Sequence, residues 1–286
     1  MHGKTIVITG ASSGIGQVAA EKLAAMGARI VQVARSRERG EAAMKRLRDL
    51  VPGVAHTIHY ADLSRISEMK RVAAEIAAAE PHIDVLINNA GAMFGSRQLT
   101  EDGLEQTFAL NHVSYFVLAH GLREQVASAR GRIVNTASDA HESARLDFDD
   151  LQSSRSFRGF KVYGRSKLCN ILFTRELARR LAGTGVTANS LHPGFVATRF
   201  GDESGGWFSV VVRIAKHFAL SPEKGAETLV YLASSPEVAG VTGEYFHKCR
   251  PATPSKEAQS DANAQRLWVE TAKLAGLSEA PIAASR

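Results

Sequence analysis

Tyr163 and Lys167 stand four residues apart in YGRSK (163–167), a spacing that puts a phenol and an ammonium on one face of a helix. Free tyrosine has a pKa near ~10 and is almost wholly protonated at neutral pH. A neighbouring ammonium favours the phenolate, and bringing that pKa to ~7 takes about 4 kcal/mol of differential stabilisation. A tyrosine tuned in this way gives a proton to a carbonyl oxygen or takes one from an alcohol. Ser138, which closes the apolar run RIVNTAS (132–138), would hold the same oxygen by a hydrogen bond. No side chain supplies a hydride, so redox chemistry at that oxygen calls for a nicotinamide. Asn111, in ALNHVSYF (109–116), lies in a helical stretch against its own propensity. Its expected role is to disturb that helix and hold a water linking Lys167 to solvent. Taken singly, each of these residues is equally compatible with packing or solvation; their order along the chain argues for chemistry.

A second constellation supports the nicotinamide. TGASSGIG (9–16) joins an apolar strand to a helical segment through Gly10, Gly14 and Gly16, with Ser12, Ser13 and Ile15 between them. Glycines at a strand-to-helix turn let a pyrophosphate approach free N–H groups at the helix N-terminus. The spacing is GxxxGxG, one residue looser than GxGxxG, and no Gly-Lys-Ser/Thr follows, so a triphosphate loop is not expected. The second strand ends in VARSRE, placing Arg35 and Ser36 where folds that prefer an unphosphorylated ribose carry an acidic residue. Arginine meets a 2′-phosphate bidentately, so NADP(H) is expected over NAD(H), with NAD(H) left open.

The elements that must position these groups alternate along the chain. TIVITG (5–10), RIVQVAR (29–35), HTIHYADL (56–63), DVLINNAG (84–91), RIVNTAS and VTANSLHPG (186–194) read as strands, with a seventh at GEYFHK (243–248). GQVAAEKLAAMG, REQVASAR and SKLCNILFTRELARRLAG have helical spacing between them. Such alternation predicts an α/β fold: a single-domain, doubly wound parallel sheet of Rossmann type, about seven strands, with helices on both faces. The domain is expected to span 1–277, with a substrate lid around 199–220 and a frayed tail at 278–286.

Composition narrows the function classes. The 286 residues carry a net charge of +6, with 44% hydrophobic and 22% charged residues, ordinary values for a globular chain with a full core. Basic residues are scattered apart from a cluster at Arg35, Arg37, Arg39, Lys45, Arg46 and Arg48, which does not amount to a nucleic-acid footprint. Two cysteines, Cys169 and Cys249, give neither a disulfide framework nor a thiolate metal site, and no metal is expected. The chain opens on a strand, and no apolar run approaches the ~20 residues of a bilayer span. A cytoplasmic setting without an integral membrane anchor is therefore expected. WFSVVVRIAKHFAL (207–220) suits a lid or an interface helix. Assembly as a homodimer or homotetramer is left open.

As a set, these residues resemble the short-chain dehydrogenase/reductase family over about residues 3–250. The resemblance rests on TGASSGIG, Asp62-Leu63, NNAG (88–91), Asn111, Ser138, Tyr163 with Lys167, and HPG (192–194) followed by Thr198. It implies catalytic roles for Asn111, Ser138, Tyr163 and Lys167. It further implies that Asp62 and Leu63 lie at the adenine, that Asn89, Ala90 and Gly91 shape the cofactor wall, and that Pro193, Gly194, Val196 and Thr198 bind near the nicotinamide. DFDDLQ (147–152), YGRSKLCNILFTRELARRL (163–181), SPEKGAETLVYLASSPEVAGVTGEYF (221–246) and RLWVETAKLAGL (266–277) are similar to the retinol dehydrogenase-like branch, as is the 25-residue step from Ser138 to Tyr163. Membrane-bound members of that branch have an apolar N-terminal anchor, which this chain does not show before its first strand. A retinoid or another lipophilic carbonyl or alcohol fits as substrate, with Met93 and Phe94 on the apolar rim. A dinucleotide sensor without chemistry is the competing reading, and a nucleotide-sugar epimerase or dehydratase is a third.

Overall fold

A computed structural model describes residues 1–194 and 221–278. Thr198, Val196 and the lid expected around 199–220 lie outside the described residues, as does all of the expected tail but Ser278.

Eight strands form one sheet in the order β3-β2-β1-β4-β5-β6-β7-β8. They are β1 (Thr5–Thr9), β2 (Arg29–Ala34), β3 (Thr57–Tyr60), β4 (Val85–Asn88), β5 (Arg132–Thr136), β6 (Thr187–His192), β7 (Tyr245–His247) and β8 (Arg250–Pro251). The first seven pair in parallel, for example Val7 with Val31 and with Leu86. The eighth strand, two residues long and antiparallel to β7, is an addition to the seven expected. Its brevity and its proline suit an edge, where no further ladder has to be donated.

Alternation along β1 shows how the layers arise. Ile6 and Ile8 point into one apolar cluster with α1 (Gly14–Ala25) and α2 (Arg37–Leu50), while Val7 points into the other. That second face is covered by α3 (Ile66–Ala79), α5 (Ser114–Gly121), α7 (Gly159–Arg180) and the C-terminal helix Asp261–Ala275. A strand buried on both sides has no polar face, which is why TIVIT reads as a continuous apolar run. Between β1 and β4 the strand order reverses, opening the crevice at the carboxyl edge where open α/β sheets bind ligands.

The helix carrying YGRSK begins at Gly159, a full turn before Tyr163 and earlier than its apolar periodicity alone suggests. Two glycines explain its fit. A Cβ at Gly164 would stand 2.6 Å from the Ala140 carbonyl oxygen, and one at Gly159 would stand 2.5 Å from that of Phe94. The helix therefore lies directly on the turn after β5 and on the loop after β4. A buried polar chain anchors it further: Asn88 Nδ2 donates to Asn135 Oδ1 at 2.9 Å, and Asn135 Nδ2 donates to Thr174 Oγ1 at 2.9 Å. Inside the sheet each amide has a partner from the next element, which fixes where α7 sits along β5.

Candidate active site

At the carboxyl edge of the sheet, Gly10 and Gly14 take left-handed backbone conformations, φ +70° and +58°, where an L side chain is strained. A Cβ at Gly10 would lie 2.8 Å from Ala90 Cα, and one at Gly16 would collide with Asn89 Nδ2 and the Gly10 carbonyl. The loop thus presses against NNAG. Asn89 staples the two together, donating to Thr9 O at 3.2 Å and to Gly10 O at 3.3 Å, while Thr136 Oγ1 donates to its Oδ1 at 3.4 Å. At the head of α1, Ser13 makes no side-chain cap and no acidic residue occupies the first turn, so the helix presents its N-terminal amides and positive dipole end outward, beside Ser12, Gly14 and Ile15.

Along the same edge, Arg35 is exposed just past β2. Ser36 caps α2, its hydroxyl oxygen accepting from Arg39 N at 3.3 Å; its O–H still has the freedom to donate. Arg37 lies over the Tyr60 ring at 4.4 Å, a contact the sequence did not disclose because it joins a helix to a strand. Asp62 Oδ1 accepts from Ser64 N at 3.0 Å and Ser64 Oγ at 2.8 Å. Leu63 is core, 5% exposed, its side chain packed in the apolar cluster with Val31 and Val33.

The catalytic candidates converge around α7. Ser138 stands two residues beyond the end of β5, at the head of the short turn Asp139–Ser143. The Ser138 side chain lies close enough to the Tyr163 phenol to favour its ionised form, and its hydroxyl donates to Asp139 Oδ1 at 3.1 Å and accepts from Ala140 N at 3.2 Å. Lys167 Nζ donates to Thr136 O at 3.0 Å and lies 5.6 Å from the Tyr163 ring centroid. A Cβ at Gly91 would come within 3.4 Å of that nitrogen, so a glycine at this point keeps the amine in reach of the crevice.

One expectation requires correction. Burial dominates the electrostatics: Tyr163, only 9% exposed, has its phenol pushed above the ordinary value, while the Lys167 amine is pushed down to about 7. Desolvation penalises whichever form is charged, and here it outweighs the interaction with Ser138 that acts to acidify the phenol; Asp139, beside Ser138, adds to the upward push. Asn111 does disturb its helix, lying in a π-turn (Ala109–Val113) between α4 (Gln106–Phe108) and α5. Its amide protons, however, go to Ala92 O and Ser166 Oγ, both at 2.9 Å, and its Oδ1 accepts from Ala92 N at 2.9 Å. The side chain clamps the loop after β4. A residue the sequence reading missed is Tyr115, fully buried, with Lys167 Nζ 5.7 Å from its ring centroid and no partner for its hydroxyl among the described residues.

Pro193 and Gly194 follow β6, with Gly194 at φ +86°. Met93 and Ala140 form a small apolar cluster with Tyr163, and Phe160, a turn earlier on α7, is 54% exposed. Among the described residues no helix is long and apolar enough to cross a membrane, and Cys169 and Cys249 are both free.

Comparison with known proteins agrees with this geometry. The family model for short chain dehydrogenase matches residues 4–207. Human retinol dehydrogenase 13 is 41% identical over 286 residues, covering 98% of this chain and 86% of the relative. Human retinol dehydrogenase 14 is 40% identical, covering 97% and 88%. Among solved structures, a protein from Mycobacterium paratuberculosis superposes with a TM-score of 0.78 at 29% identity, covering 97% of this chain and 95% of that one. The Pseudomonas aeruginosa RhlG/NADP active-site complex superposes with a TM-score of 0.67 at 25% identity, covering 86% and 94%. The chain is an NAD(P)-dependent oxidoreductase acting on CH–OH groups, and it belongs to the short-chain dehydrogenase/reductase family, on its retinol dehydrogenase-like side.

Proposed function

We propose that the protein interconverts a carbonyl and a primary or secondary alcohol on a lipophilic small molecule, with NADP(H) preferred and Tyr163 as the proton donor and acceptor. The observation that carries this reading is the meeting of the Tyr163 and Ser138 hydroxyls at the sheet's carboxyl edge, with the Lys167 amine one helical turn behind.

The residues fit a dinucleotide. Gly10 and Gly14 turn the loop through left-handed conformations at the head of α1, and α1 offers its amides without a side-chain cap. Gly14, Ile15 and their neighbours would hold the pyrophosphate; Arg35, with Ser36, would meet a 2′-phosphate; Asp62 and Leu63 would flank the adenine; Ala90 and Gly91 would line the ribose side. When bound, the reduced nicotinamide supplies a hydride to the carbonyl carbon.

The protein's own part is proton transfer at the oxygen. Ser138 donates a hydrogen bond to that oxygen and holds it against the phenol. Tyr163, kept neutral by burial, gives its proton as negative charge develops there. Lys167, pushed down to about 7, exchanges protons readily at neutral pH and restores the phenol. In the direction of oxidation the same groups run in reverse. Asn111 keeps the loop carrying Met93 and Phe94 in place, and a water link to solvent would use its main-chain carbonyl in the π-turn. Met93, Ala140 and Phe160 favour an apolar skeleton next to the reacting oxygen.

The test is a panel of straight-chain aldehydes, aromatic aldehydes and retinaldehyde with NADPH and NADH, followed at 340 nm. Turnover with NADPH on long-chain or ring-bearing aldehydes is expected; cofactor binding without turnover across the panel would overturn the reading.

A further inference from the structure

His192 opens the HPG turn, whose proline and glycine the cofactor site uses and whose histidine has no part in the chemistry above. Its ring is buried at the end of β6. Two main-chain amides from different loops converge on Nδ1, Asp139 N at 3.3 Å and Gly194 N at 3.3 Å. A ring nitrogen that accepts from N–H groups carries no proton, so the imidazole is neutral with its proton on Nε2. That nitrogen faces the Asp139 carboxylate at 3.5 Å. Burial acts in the same sense, disfavouring the imidazolium.

The amide of Asp139 and the carbonyl of Ser138 belong to one peptide unit. His141, also buried, approaches that carbonyl oxygen through Nδ1 at 2.6 Å, and its Nε2 accepts from Ser255 N at 3.2 Å. A peptide plane is rigid, so gripping its oxygen from one side and its N–H from the other fixes the backbone from which the Ser138 side chain springs; its hydroxyl donates to Asp139 Oδ1 at 3.1 Å and accepts from Ala140 N at 3.2 Å. Through Gly194, the same His192 nitrogen ties this peptide to the turn after β6.

We infer that His192 is a positioning residue: it holds the Ser138–Asp139 peptide and the Pro193–Gly194 turn in one fixed relation, so that the Ser138 hydroxyl is aimed at the substrate oxygen. The inference rests on the reading of Ser138 given above. Asparagine places an acceptor near the position of Nδ1, glutamine near that of Nε2, and leucine places none.

The experiment measures kcat, KM and NADPH affinity of the full chain, using the aldehyde turned over fastest in the panel. His192→Leu is expected to lower kcat about 10- to 100-fold, the scale of a small misplacement of a positioned group, with NADPH affinity changed by less than about threefold. His192→Asn is expected to recover kcat to within about fivefold of wild type, and His192→Gln to stay low, because only the first restores the shared acceptor. In a Ser138→Ala background, His192→Leu is expected to cost less than about twofold, since residues acting through one another are not additive. An equal loss in both backgrounds would overturn the inference while leaving the catalytic reading intact. Should His192→Leu fail to fold, glutamine matching or exceeding asparagine would overturn it instead. Wild-type turnover by Ser138→Ala alone would overturn the catalytic reading, and the inference with it.

Discussion

The two ends of the crevice sit on the same sheet edge and work under opposite electrostatic conditions. At the end that carries α7, Tyr163, Lys167 and Asn111 are buried, and Lys167 and Asn111 are tied mainly to main-chain atoms. At the end beyond β2, Arg35 and Arg37 stand in solvent around an Arg37–Tyr60 stack and a capped helix start. Burial makes each charge expensive and each position exact, so on the proposed reading the α7 end would govern rate. Exposure screens each charge, so on the same reading the other end would set preference between cofactors by modest increments.

The contrast breaks most visibly at Tyr163. Tyr163→Phe keeps the ring and removes the proton, and should lower kcat by about 10²- to 10⁴-fold with NADPH affinity near wild type by fluorescence titration; retained turnover would remove the phenol from the mechanism. The next effect in size is on stability. Lys167 has its pKa lowered from 10.5 to about 7 in the folded chain. Between those values the unfolded chain holds a proton the folded one has released, so stability is full above the upper value and is lost as pH falls toward the lower. Wild type should therefore gain Tm relative to Lys167→Met as pH rises from 7 to 10, whereas parallel melting curves would show that the amine is not desolvated.

At the exposed end the effects shrink. Arg35→Asp should move the NADPH/NADH ratio of kcat/KM by about 10- to 100-fold toward NADH, the worth of a charge-assisted hydrogen bond. An unchanged ratio would mean that Arg35 does not read the phosphate. Arg37→Ala, which removes a cation–π contact worth about 0.5–1 kcal/mol at an exposed site, should raise the NADPH KM only a few-fold and leave kcat alone. A larger drop in kcat than from Arg35→Asp would erase the distinction between the two ends.

Legibility followed the same divide between local and distant causes. The parallel sheet, the glycine turn and the Tyr163–Lys167 face could be read because each depends on periodicity or on neighbours a few residues apart. The short β8 carried no periodic signal in two residues. The early start of α7 at Gly159 became intelligible only when Phe94 O and Ala140 O were seen against it. Asn111 was placed correctly in a broken helix, yet its side chain found partners in Ala92 and Ser166, 19 and 55 residues away.

By itself the sequence determined which groups could do chemistry and the order of elements that would carry them, because residue type, local spacing and the strand–helix rhythm are written along the chain. Only the tertiary structure decided their state. Desolvation depends on everything packed around a group, so the neutral phenol, the weakened amine and the two histidines gripping the Ser138–Asp139 peptide arise from contacts between segments far apart in sequence.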